Sequence, residues 1–197
     1  MTRIVAGTAG GRRLRVPPAG TRPTSDRVRE ALFSAIDARL DLDGARVVDL
    51  YAGSGALGLE ALSRGAARAL LVESDRKAAA VVRGNIADLG LPGADLRVGA
   101  VSTVLAQPAP AEFDLVFSDP PYDLDTAAVI ADLTALAGQG WLAPGALVVV
   151  ERSSRSPEID WPTGYLREKP RRYGETRIEL AEFDGAPAEP GDRPASV

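Results

Sequence analysis

Two acidic residues flank a glycine-rich turn at spacings that suit the binding of a small ligand. Asp49 ends a predicted strand, and Gly53 and Gly55 follow it. Glycine lets the backbone turn sharply and approach a ligand that a Cβ atom would hold away. Glu73 lies twenty residues after Gly53, near the position where the acid of a nucleotide site binds a ribose hydroxyl.

The run from Gly53 to Gly58 also matches the dinucleotide fingerprint G-x-G-x-x-G, whose ligand places a pyrophosphate at the helix N-terminus. The carboxylate of Asp49 argues against that ligand, because like charges at close range repel. S-adenosylmethionine has a positive end that Asp49 would attract and a ribose diol that suits Glu73. The pattern therefore favours S-adenosylmethionine over a dinucleotide, and a glycine turn without any ligand is the third interpretation.

A second motif, Asp119-Pro120-Pro121-Tyr122, is suited to holding an amino group. Proline fixes φ at about −65° and has no N–H, so these carbonyls only accept hydrogen bonds. The Asp119 carboxylate adds an acceptor, and the Tyr122 ring offers a surface on which a nucleobase can stack. Holding both hydrogens of an exocyclic amine would aim its lone pair at a methyl donor. We expect methyl transfer by alignment alone, without a metal; the alternative is a tight turn after a strand.

The composition excludes several other chemistries. The 197 residues are 45% apolar and 25% charged, which is typical of one globular domain. Because the chain has neither Cys nor His, disulfides, thiolate nucleophiles and histidine acid–base catalysis are excluded. Since no apolar run has the length of a membrane span and no signal peptide is evident, we expect a cytoplasmic protein.

Basic residues are concentrated on either side of an acidic middle. The net charge is −4 overall, but it is +5 over residues 1–30, −7 over residues 31–150 and +3 over residues 152–177. Nearly all the cations are Arg, whose planar guanidinium suits phosphates and bases. This distribution indicates a nucleic-acid partner, and the alternative is an ordinary solvated basic surface.

Strand and helix patterns alternate from residue 46 onward, which is typical of a doubly wound α/β sheet. Strands are predicted at 47–49, 69–72, 95–98, 113–117 and 146–150, followed by an antiparallel pair at 165–167 and 176–183. Helices are predicted from residue 56 and over 76–89 and 127–136. An N-terminal β-hairpin (3–5 with 12–16) and a helix over 27–39, capped by Thr24 or Ser25, precede them.

Four unusual positions share one place in this pattern. Asp49, Glu73, Gly99-Ala100 and Asp119 each lie at the carboxyl end of one of four consecutive predicted strands. In an open parallel sheet, that edge is where ligands bind. We therefore expect one crevice to hold both motifs.

Together the two motifs resemble those of class I S-adenosylmethionine-dependent methyltransferases that act on exocyclic amines. Segments across residues 2–183 more narrowly resemble the bacterial RsmD family: Arg3-Ile-Val-Ala-Gly, Gly11-Arg12-Arg13-Leu14, Arg22-Pro-Thr24, Arg27-Val-Arg29-Glu30-Ala-Leu-Phe33 and Tyr173-Gly174-x-Thr176. The resemblance implies a Rossmann-like fold with a mostly parallel seven-stranded sheet. It also implies methylation of the N2 amine of one guanine in 16S ribosomal RNA.

The resemblance further implies a role for each matching residue. The methionine part of S-adenosylmethionine would be held by Asp49, Ala52, Gly53 and Gly55, its ribose by Glu73, and its adenine along Gly99 and Ala100. The guanine would be held by Asp119, Pro120, Pro121 and Tyr122, and RNA phosphates by Arg3, Arg12, Arg13, Arg27 and Arg29. Many relatives have an acid in place of Gly99, so we expect the adenine contact to be missing or to come from a neighbour such as Ser102.

The sequence patterns, the composition and the resemblance together suggest three parts. Residues 1–45 would form an extension that contacts RNA and covers the cofactor, residues 46–183 the methyltransferase domain, and residues 184–197 a disordered tail. We expect a monomer that acts on 16S rRNA within the assembled or assembling small ribosomal subunit. One alternative is a DNA adenine-N6 methyltransferase, although the chain has little length left to read a DNA sequence. Another is a dinucleotide-dependent oxidoreductase or binding module.

Overall fold

A computed structural model describes residues 2–18 and 25–185. The elements, in chain order, are β1 (Thr2–Arg3), β2 (Arg13–Leu14), α1 (Asp26–Asp37), β3 (Arg46–Leu50), α2 (Ala56–Ser63), β4 (Arg68–Glu73), α3 (Arg76–Leu89), β5 (Ala94–Val98), α4 (Val101–Leu105), β6 (Phe113–Ser118), α5 (Thr126–Gly138), β7 (Leu142–Ser153), β8 (Tyr165–Arg167), β9 (Arg171–Tyr173) and β10 (Thr176–Phe183). Within the two described ranges, no helix combines the length and apolarity that a membrane span requires.

The sheet is mostly parallel, as predicted. Strands β5, β4, β3, β6 and β7 lie side by side in that order and run parallel, and β10 pairs antiparallel with β7. Because β4 lies on one side of β3 and β6 on the other, the strand order reverses at β3. A crevice opens at the carboxyl ends of the strands at such a reversal. The fold therefore places its ligand crevice beside β3.

The last position of the sheet differs from the prediction. The sheet has eight strands instead of seven, because β8 and β9 both pair with β10, at its two ends. Pro170 lies between β8 and β9, and proline has no N–H with which to continue a ladder. The outermost position is thus one strand broken into two.

Both faces of the sheet are buried. Val47, Leu71 and Leu115 belong to an apolar cluster that also contains side chains of α1, α2 and α3. On the opposite face, Val48 and Val116 belong to a cluster with side chains of α4 and α5. Such two-sided burial explains why the central strands are almost continuously apolar.

The N-terminal extension is attached to α2 through buried polar groups. The backbone N–H groups of Val5 and Ala6 donate to the carboxylate of Glu60, at 2.6 and 3.0 Å, and Glu60 is fully buried. Thr8 N–H donates to the carbonyl of Ser63 at 2.8 Å. A buried carboxylate needs such donors to offset its lost hydration. Since Ile4 and Leu14 also join the cluster of α1 to α3, residues 2–18 share the core of the main domain.

The termini of the elements agree with the predictions in some places only. Ser25 caps α1 by accepting from Val28 N–H at 3.3 Å, while Thr24 lies outside the described residues. The predicted hairpin is reduced to two paired residues in each strand. The predicted tail is described only at 184–185. Helix α4 was not predicted, since five residues are too few to show helical periodicity.

Gly7 and Gly11 allow a matched test of how the extension is attached. Both have positive φ, +80° and +82°, but a Cβ on Gly7 would lie 1.8 Å from the carbonyl oxygen of Ser63, whereas one on Gly11 would have nothing within 4 Å. We expect Gly11→Ala to lower the free energy of unfolding by about 1–2 kcal/mol from backbone strain alone. Gly7→Ala adds a steric clash of roughly 1–3 kcal/mol. Urea unfolding measures both, and equal losses would contradict the attachment described above.

Candidate active site

The structure brings the four predicted positions to one edge of the sheet. Gly53 N–H donates to a carboxylate oxygen of Glu73 at 2.8 Å, and Gly99 N–H donates to the Glu73 carbonyl at 3.0 Å. On the other side of β3, Asp119 N–H donates to the carbonyl of Leu50 at 3.4 Å. The glycine turn, the acid that ends β4 and the Asp-Pro-Pro-Tyr turn are therefore direct neighbours.

The glycine turn presents its backbone to an open side. Tyr51 has φ +61°, a strained value for a residue with a Cβ, and Gly53 and Gly55 have φ +59° and +80°. A Cβ on Gly55 would lie 2.9 Å from a methyl of Leu71, so a side chain there would displace Leu71 and also strain the backbone. A Cβ on Gly53 would meet nothing closer than the Tyr51 carbonyl at 3.9 Å. The turn is packed beneath Gly55 and open above Gly53, which leaves room for a ligand against the backbone.

The predicted residue Ala52 fixes this turn through its backbone. Its N–H donates to the Val72 carbonyl at 2.9 Å, and its carbonyl accepts from Gly55 N–H at 2.7 Å. The side chain of Ala52 is buried. Ala52 therefore shapes the cradle, and its neighbour Gly53 offers the open side.

The Glu73 carboxylate is fixed by hydrogen bonds to both of its oxygens. Only 8% of the residue is exposed, and its two carboxylate oxygens accept the N–H groups of Gly53 and Asp75, both at 2.8 Å. A carboxylate has about four acceptor positions, so two donors leave capacity for a ligand hydroxyl. The side chain is thus both a brace for the glycine turn and a fixed acceptor.

Asp49 lies beneath the turn. It is 1% exposed, and one carboxylate oxygen accepts Gly58 N–H at 2.9 Å. Burial, together with the nearby charge of Glu73, raises the pKa of Asp49 to about 7, although the Gly58 hydrogen bond opposes that rise. A buried carboxyl with such a pKa ionises more readily when a cation is placed beside it. The position therefore favours a positively charged ligand.

Asp119 has a raised pKa as well. Part of the residue reaches the surface, but burial of its carboxyl group raises the pKa well above the ordinary value, and the charges of Glu151 and Asp49 raise it further. The charge of Asp49 therefore reaches the Asp119 carboxyl, which is consistent with both lying at one crevice. An acid with a raised pKa is a better proton acceptor when it is ionised.

The rest of the second motif forms a turn. Pro120 is buried, and the carbonyl of exposed Pro121 accepts Leu124 N–H at 3.0 Å. Tyr122 is 60% exposed. The Pro121 carbonyl therefore helps to close the turn, so that Asp119 and the Pro120 carbonyl are the better candidates for binding an amine.

Glu151 is a site residue that the sequence analysis missed. Val150 pairs with Ser118, so Glu151 and Asp119 are the next residues of two neighbouring strands. Asp119 directly follows β6, and Glu151 lies two residues before the end of β7. Glu151 is buried. The signal was present, because Glu151 directly follows the apolar strand 146–150, just as Asp49 and Asp119 end theirs.

Two long-range contacts that fix the loops were also missed. The Tyr51 hydroxyl donates to Asp132 on α5 at 2.5 Å. Buried Arg152 donates to the Leu124 carbonyl at 3.0 Å and to the Thr126 hydroxyl at 3.3 Å. The first contact ties the glycine turn to α5, and the second ties the segment after Tyr122 to β7. Nothing local in the sequence predicts either contact.

The residues predicted to contact the adenine, Gly99 and Ala100, connect β5 to α4. Gly99 follows β5, and exposed Ala100 precedes α4 as its extended N-cap residue. A Cβ on Gly99 would make only an ordinary contact, 3.6 Å from a methyl of Val104. Ser102 is exposed in the first turn of α4. The space at Gly99 therefore allows a side chain that this chain lacks.

A cavity of about 380 Å³ lies next to the Asp-Pro-Pro-Tyr turn. It is lined by Tyr122, Ser153, Arg155, Ser156 and Glu175. Arg155 and Glu175 form an ion pair at 3.3 Å on its exposed rim. Such a mixture of an aromatic ring and polar groups suits a planar, hydrogen-bonding ligand such as a nucleobase.

The five predicted RNA-contacting arginines are not equivalent. Arg13 and Arg27 are exposed, and Arg3 is exposed but paired with Asp26 at 3.0 Å. Arg12 instead donates to the carbonyls of Leu89, at 2.8 Å, and of Asp88, where it caps the end of α3. Its side chain is engaged within the protein.

Arg29 departs furthest from the expected role in RNA binding. It is 1% exposed and donates at 2.6 Å both to the Arg3 carbonyl and to Asp26. Since a buried guanidinium cannot reach a phosphate, Arg29 supports the N-terminal extension in this conformation. Helical periodicity alone did not show which arginine faces inward.

Comparison with known proteins gives consistent similarities. Residues 2–182 match the family described as Conserved hypothetical protein 95. Ribosomal RNA small subunit methyltransferase D of Escherichia coli (strain K12) is 43% identical over 179 residues, which are 90% of this chain and 88% of that protein. The protein of the same name from Haemophilus influenzae is 37% identical over 161 residues, 80% of this chain and 81% of its own.

The fold is similar to solved structures as well. The structure of the Escherichia coli protein yhhF, which carries a methyltransferase name, aligns with a TM-score of 0.81 at 36% identity. The alignment covers 93% of this chain and 98% of that one. The predicted Rossmann-like methyltransferase fold is therefore confirmed, with the sheet order described above.

Proposed function

The chain belongs to the RsmD family of ribosomal RNA small subunit methyltransferases, and on that premise we propose that it transfers a methyl group from S-adenosylmethionine to the N2 amine of one guanine in 16S rRNA. The observation that carries the proposal is the shared edge of the sheet. There, buried Asp49 and Glu73 lie on one side of the crevice, and Asp119 lies on the other.

The residues of the glycine turn fit S-adenosylmethionine. The open side above Gly53 would receive the methionine part, and the charge of Asp49 would attract its positive groups. Glu73, braced by two N–H donors, would accept from the ribose hydroxyls. Gly99 and Ala100 would line the adenine without an acidic side chain. When bound, S-adenosylmethionine supplies a methyl group on a positively charged sulfur.

The Asp-Pro-Pro-Tyr turn would hold the guanine. The Asp119 carboxylate and the Pro120 carbonyl would accept the two hydrogens of the amine, which turns the nitrogen lone pair toward the methyl group. Tyr122, exposed beside the 380 Å³ cavity, would stack on the base. Transfer of the methyl group from sulfur to this nitrogen would form an N–C bond, break the S–C bond and leave the nitrogen positively charged. Ionised Asp119 would then accept one proton from the nitrogen.

The exposed arginines of the extension would contact the RNA backbone. Arg13 and Arg27 are exposed, and Arg3 keeps part of its guanidinium at the surface beside Asp26. Guanidinium groups bind phosphates without reading the base, so these residues would set affinity and salt dependence. We propose the assembled or assembling small subunit as the form of the RNA.

The raised pKa of Asp49 predicts how cofactor affinity depends on pH. Below about pH 7 the Asp49 carboxyl is largely protonated in the free protein, so a cationic ligand must displace a proton to bind. We expect the Kd for S-adenosylmethionine to fall as pH rises from 6 to 8, by up to about tenfold per unit below the pKa. Calorimetry at each pH, in buffers of different ionisation enthalpy, measures the Kd and the released proton.

Two variants test whether ionisation of Asp49 causes that pH dependence. Asp49→Asn keeps the acceptor for Gly58 N–H but cannot ionise, so its Kd is expected to vary much less with pH. Asp75→Asn keeps the N-cap of α3, because asparagine caps helices as well as aspartate, and is expected to behave like the wild type. A wild-type affinity that does not change between pH 6 and 8 would contradict the role of Asp49.

A transfer assay tests the proposed activity. The protein is incubated with tritium-labelled S-adenosylmethionine and, separately, with small-subunit particles, free 16S rRNA and duplex DNA, and the labelled nucleoside is identified after digestion. We expect the label in N2-methylguanosine from the RNA or the particle. Label in N6-methyladenine from DNA, or in no nucleic acid, would overturn the proposal.

A further inference from the structure

A second cavity lies along strands β3 to β6, apart from the Asp-Pro-Pro-Tyr turn. It has a volume of about 770 Å³, and its lining includes Arg46, Arg68, Leu70, Asp95, Arg97 and Phe113. Arg46, Arg68 and Phe113 begin β3, β4 and β6, so the cavity opens toward the amino edge of the sheet. We call it the amino-edge groove.

The shortness of α4 explains why the groove is open. Helix α4 has five residues, which span about 7.5 Å, whereas a strand of five or six residues is about 17–20 Å long. It therefore covers only part of the length of its face of the sheet.

The groove has an excess of unpaired positive charge. Arg46, Arg68 and Arg97 line it with one acid, Asp95, and none of the three guanidinium groups forms an ion pair with any residue in ranges 2–18 and 25–185. By contrast, Arg39 and Arg64, from the same acidic part of the chain, are both paired with carboxylates.

Two of these arginines lie side by side. Arg46 and Arg68 are register partners in the parallel pair β3–β4, and both are exposed. One phosphate between them can accept hydrogen bonds from both guanidinium groups. The arrangement therefore suits an anionic ligand at this edge.

The floor of the groove narrows the choice of anion. Leu70 and Phe113, on the face of the sheet that α4 and α5 cover, give it an apolar floor. An apolar floor beneath guanidinium groups suits a chain that alternates flat bases with phosphates. An acidic peptide would use the charges but would have no comparable group for the floor.

We propose that the amino-edge groove binds a single-stranded segment of the RNA substrate, with its phosphates on Arg46, Arg68 and Arg97. The inference rests on the proposed function and extends it, because it assigns a second RNA contact. That contact runs from Arg97, near the carboxyl end of β5, to Arg46 and Arg68, about one strand length or roughly 17 Å from the crevice. RNA that enters the active site is thus also held along the same sheet.

The test compares two triple variants that remove the same charge. Arg46→Gln/Arg68→Gln/Arg97→Gln removes the groove cations, and Arg83→Gln/Arg167→Gln/Lys169→Gln removes three exposed cations elsewhere. Binding of full-length 16S rRNA is measured over about 50–200 mM salt. We expect the groove variant to bind at least about tenfold more weakly at low salt, with a slope of log K against log salt smaller by about 2.

Other readouts separate binding from folding and chemistry. The groove variant is expected to keep the wild-type Tm, Kd for S-adenosylhomocysteine and kcat at saturating RNA, while its KM for RNA rises. The corresponding triple Arg→Lys variant keeps the charge and is expected to restore the salt slope.

Each contrary outcome has a distinct meaning. If the groove variant and the control triple have the same slope, the groove is not an RNA contact. Weaker binding to the assembled particle, with unchanged binding to naked RNA, would assign the groove to an acidic protein and overturn the inference. A wild-type protein that methylates no RNA would overturn the proposed function itself.

Discussion

Replacing Asp119 by alanine lowers kcat for methyl transfer by about 10²- to 10⁴-fold, the usual range for loss of a positioned proton acceptor. In the proposed mechanism this side chain both holds the amine and receives its proton, so the variant would lose alignment and base at once. The Kd for S-adenosylmethionine is expected to stay within a few-fold, because the proposed cofactor residues lie on the other side of the crevice. Single-turnover transfer rates and calorimetric binding measure the two quantities.

The Asp119→Ala variant is not expected to fail by unfolding. Burial and the charges of Glu151 and Asp49 raise the pKa of Asp119, so its ionised form destabilises the folded state near neutral pH. Removing the carboxyl should leave Tm unchanged or higher. Asp123→Asn, at an exposed acid in the same loop, is the control and should keep full activity.

The Asp119→Asn variant separates the two roles of this side chain. Asparagine keeps a carbonyl acceptor for the amine but cannot accept a proton. We expect a smaller loss of kcat than in Asp119→Ala and a pH profile that no longer rises as Asp119 ionises. Wild-type turnover in the alanine variant would refute both roles.

The second large effect is expected at Glu73. Glu73→Gln weakens S-adenosylmethionine binding by roughly 10- to 100-fold, because a hydrogen bond to a charged group contributes about 1.5–3 kcal/mol and each 1.4 kcal/mol is tenfold in Kd. The value of kcat at saturating cofactor changes much less, since Glu73 does not contact the amine. Glu30→Gln, at an exposed acid of α1, is the matched control.

Glu73 also braces the glycine turn, so a second comparison isolates the ribose contact. Both its oxygens accept hydrogen bonds from backbone N–H groups. In Glu73→Gln, the side-chain NH2 group would replace one of these oxygens and could not accept a hydrogen bond. S-adenosylhomocysteine and its 2′-deoxy analogue are therefore bound to the wild type and to Glu73→Gln. We expect loss of the hydroxyl to weaken binding to the wild type only, giving a coupling energy in a double-mutant cycle. Equal losses in both proteins would mean that Glu73 acts only on the loop.

Features set by neighbouring residues could be predicted from the sequence. Helix α3 runs from Arg76 to Leu89 as predicted, since Gly90 adopts φ +63° and ends it. The placement of Asp49, Glu73, Gly99 and Asp119 at one edge followed from strand order alone. That placement required no knowledge of any contact between strands.

Features set by tertiary contacts could not be predicted in this way. Arg29 is buried because Arg3 and Asp26 supply its partners, and Arg12 lies along the end of α3, more than seventy residues away in the chain. The division of the last strand into β8 and β9 depends on how Pro170 meets β10. Glu151 is an intermediate case. Like Asp119, it is an acid that directly follows an apolar strand, so its place at the edge of the sheet is predictable from the sequence.

The structure of this protein with S-adenosylhomocysteine bound is the most direct test of whether the methyl donor and the amine meet at one edge of the sheet. We predict that the ribose hydroxyls lie on the Glu73 carboxylate and the amino acid part above Gly53, with the sulfur facing Asp119 and Pro120. A ligand bound elsewhere, or bound at the glycine turn with its sulfur directed away from Asp119, would contradict the proposed mechanism.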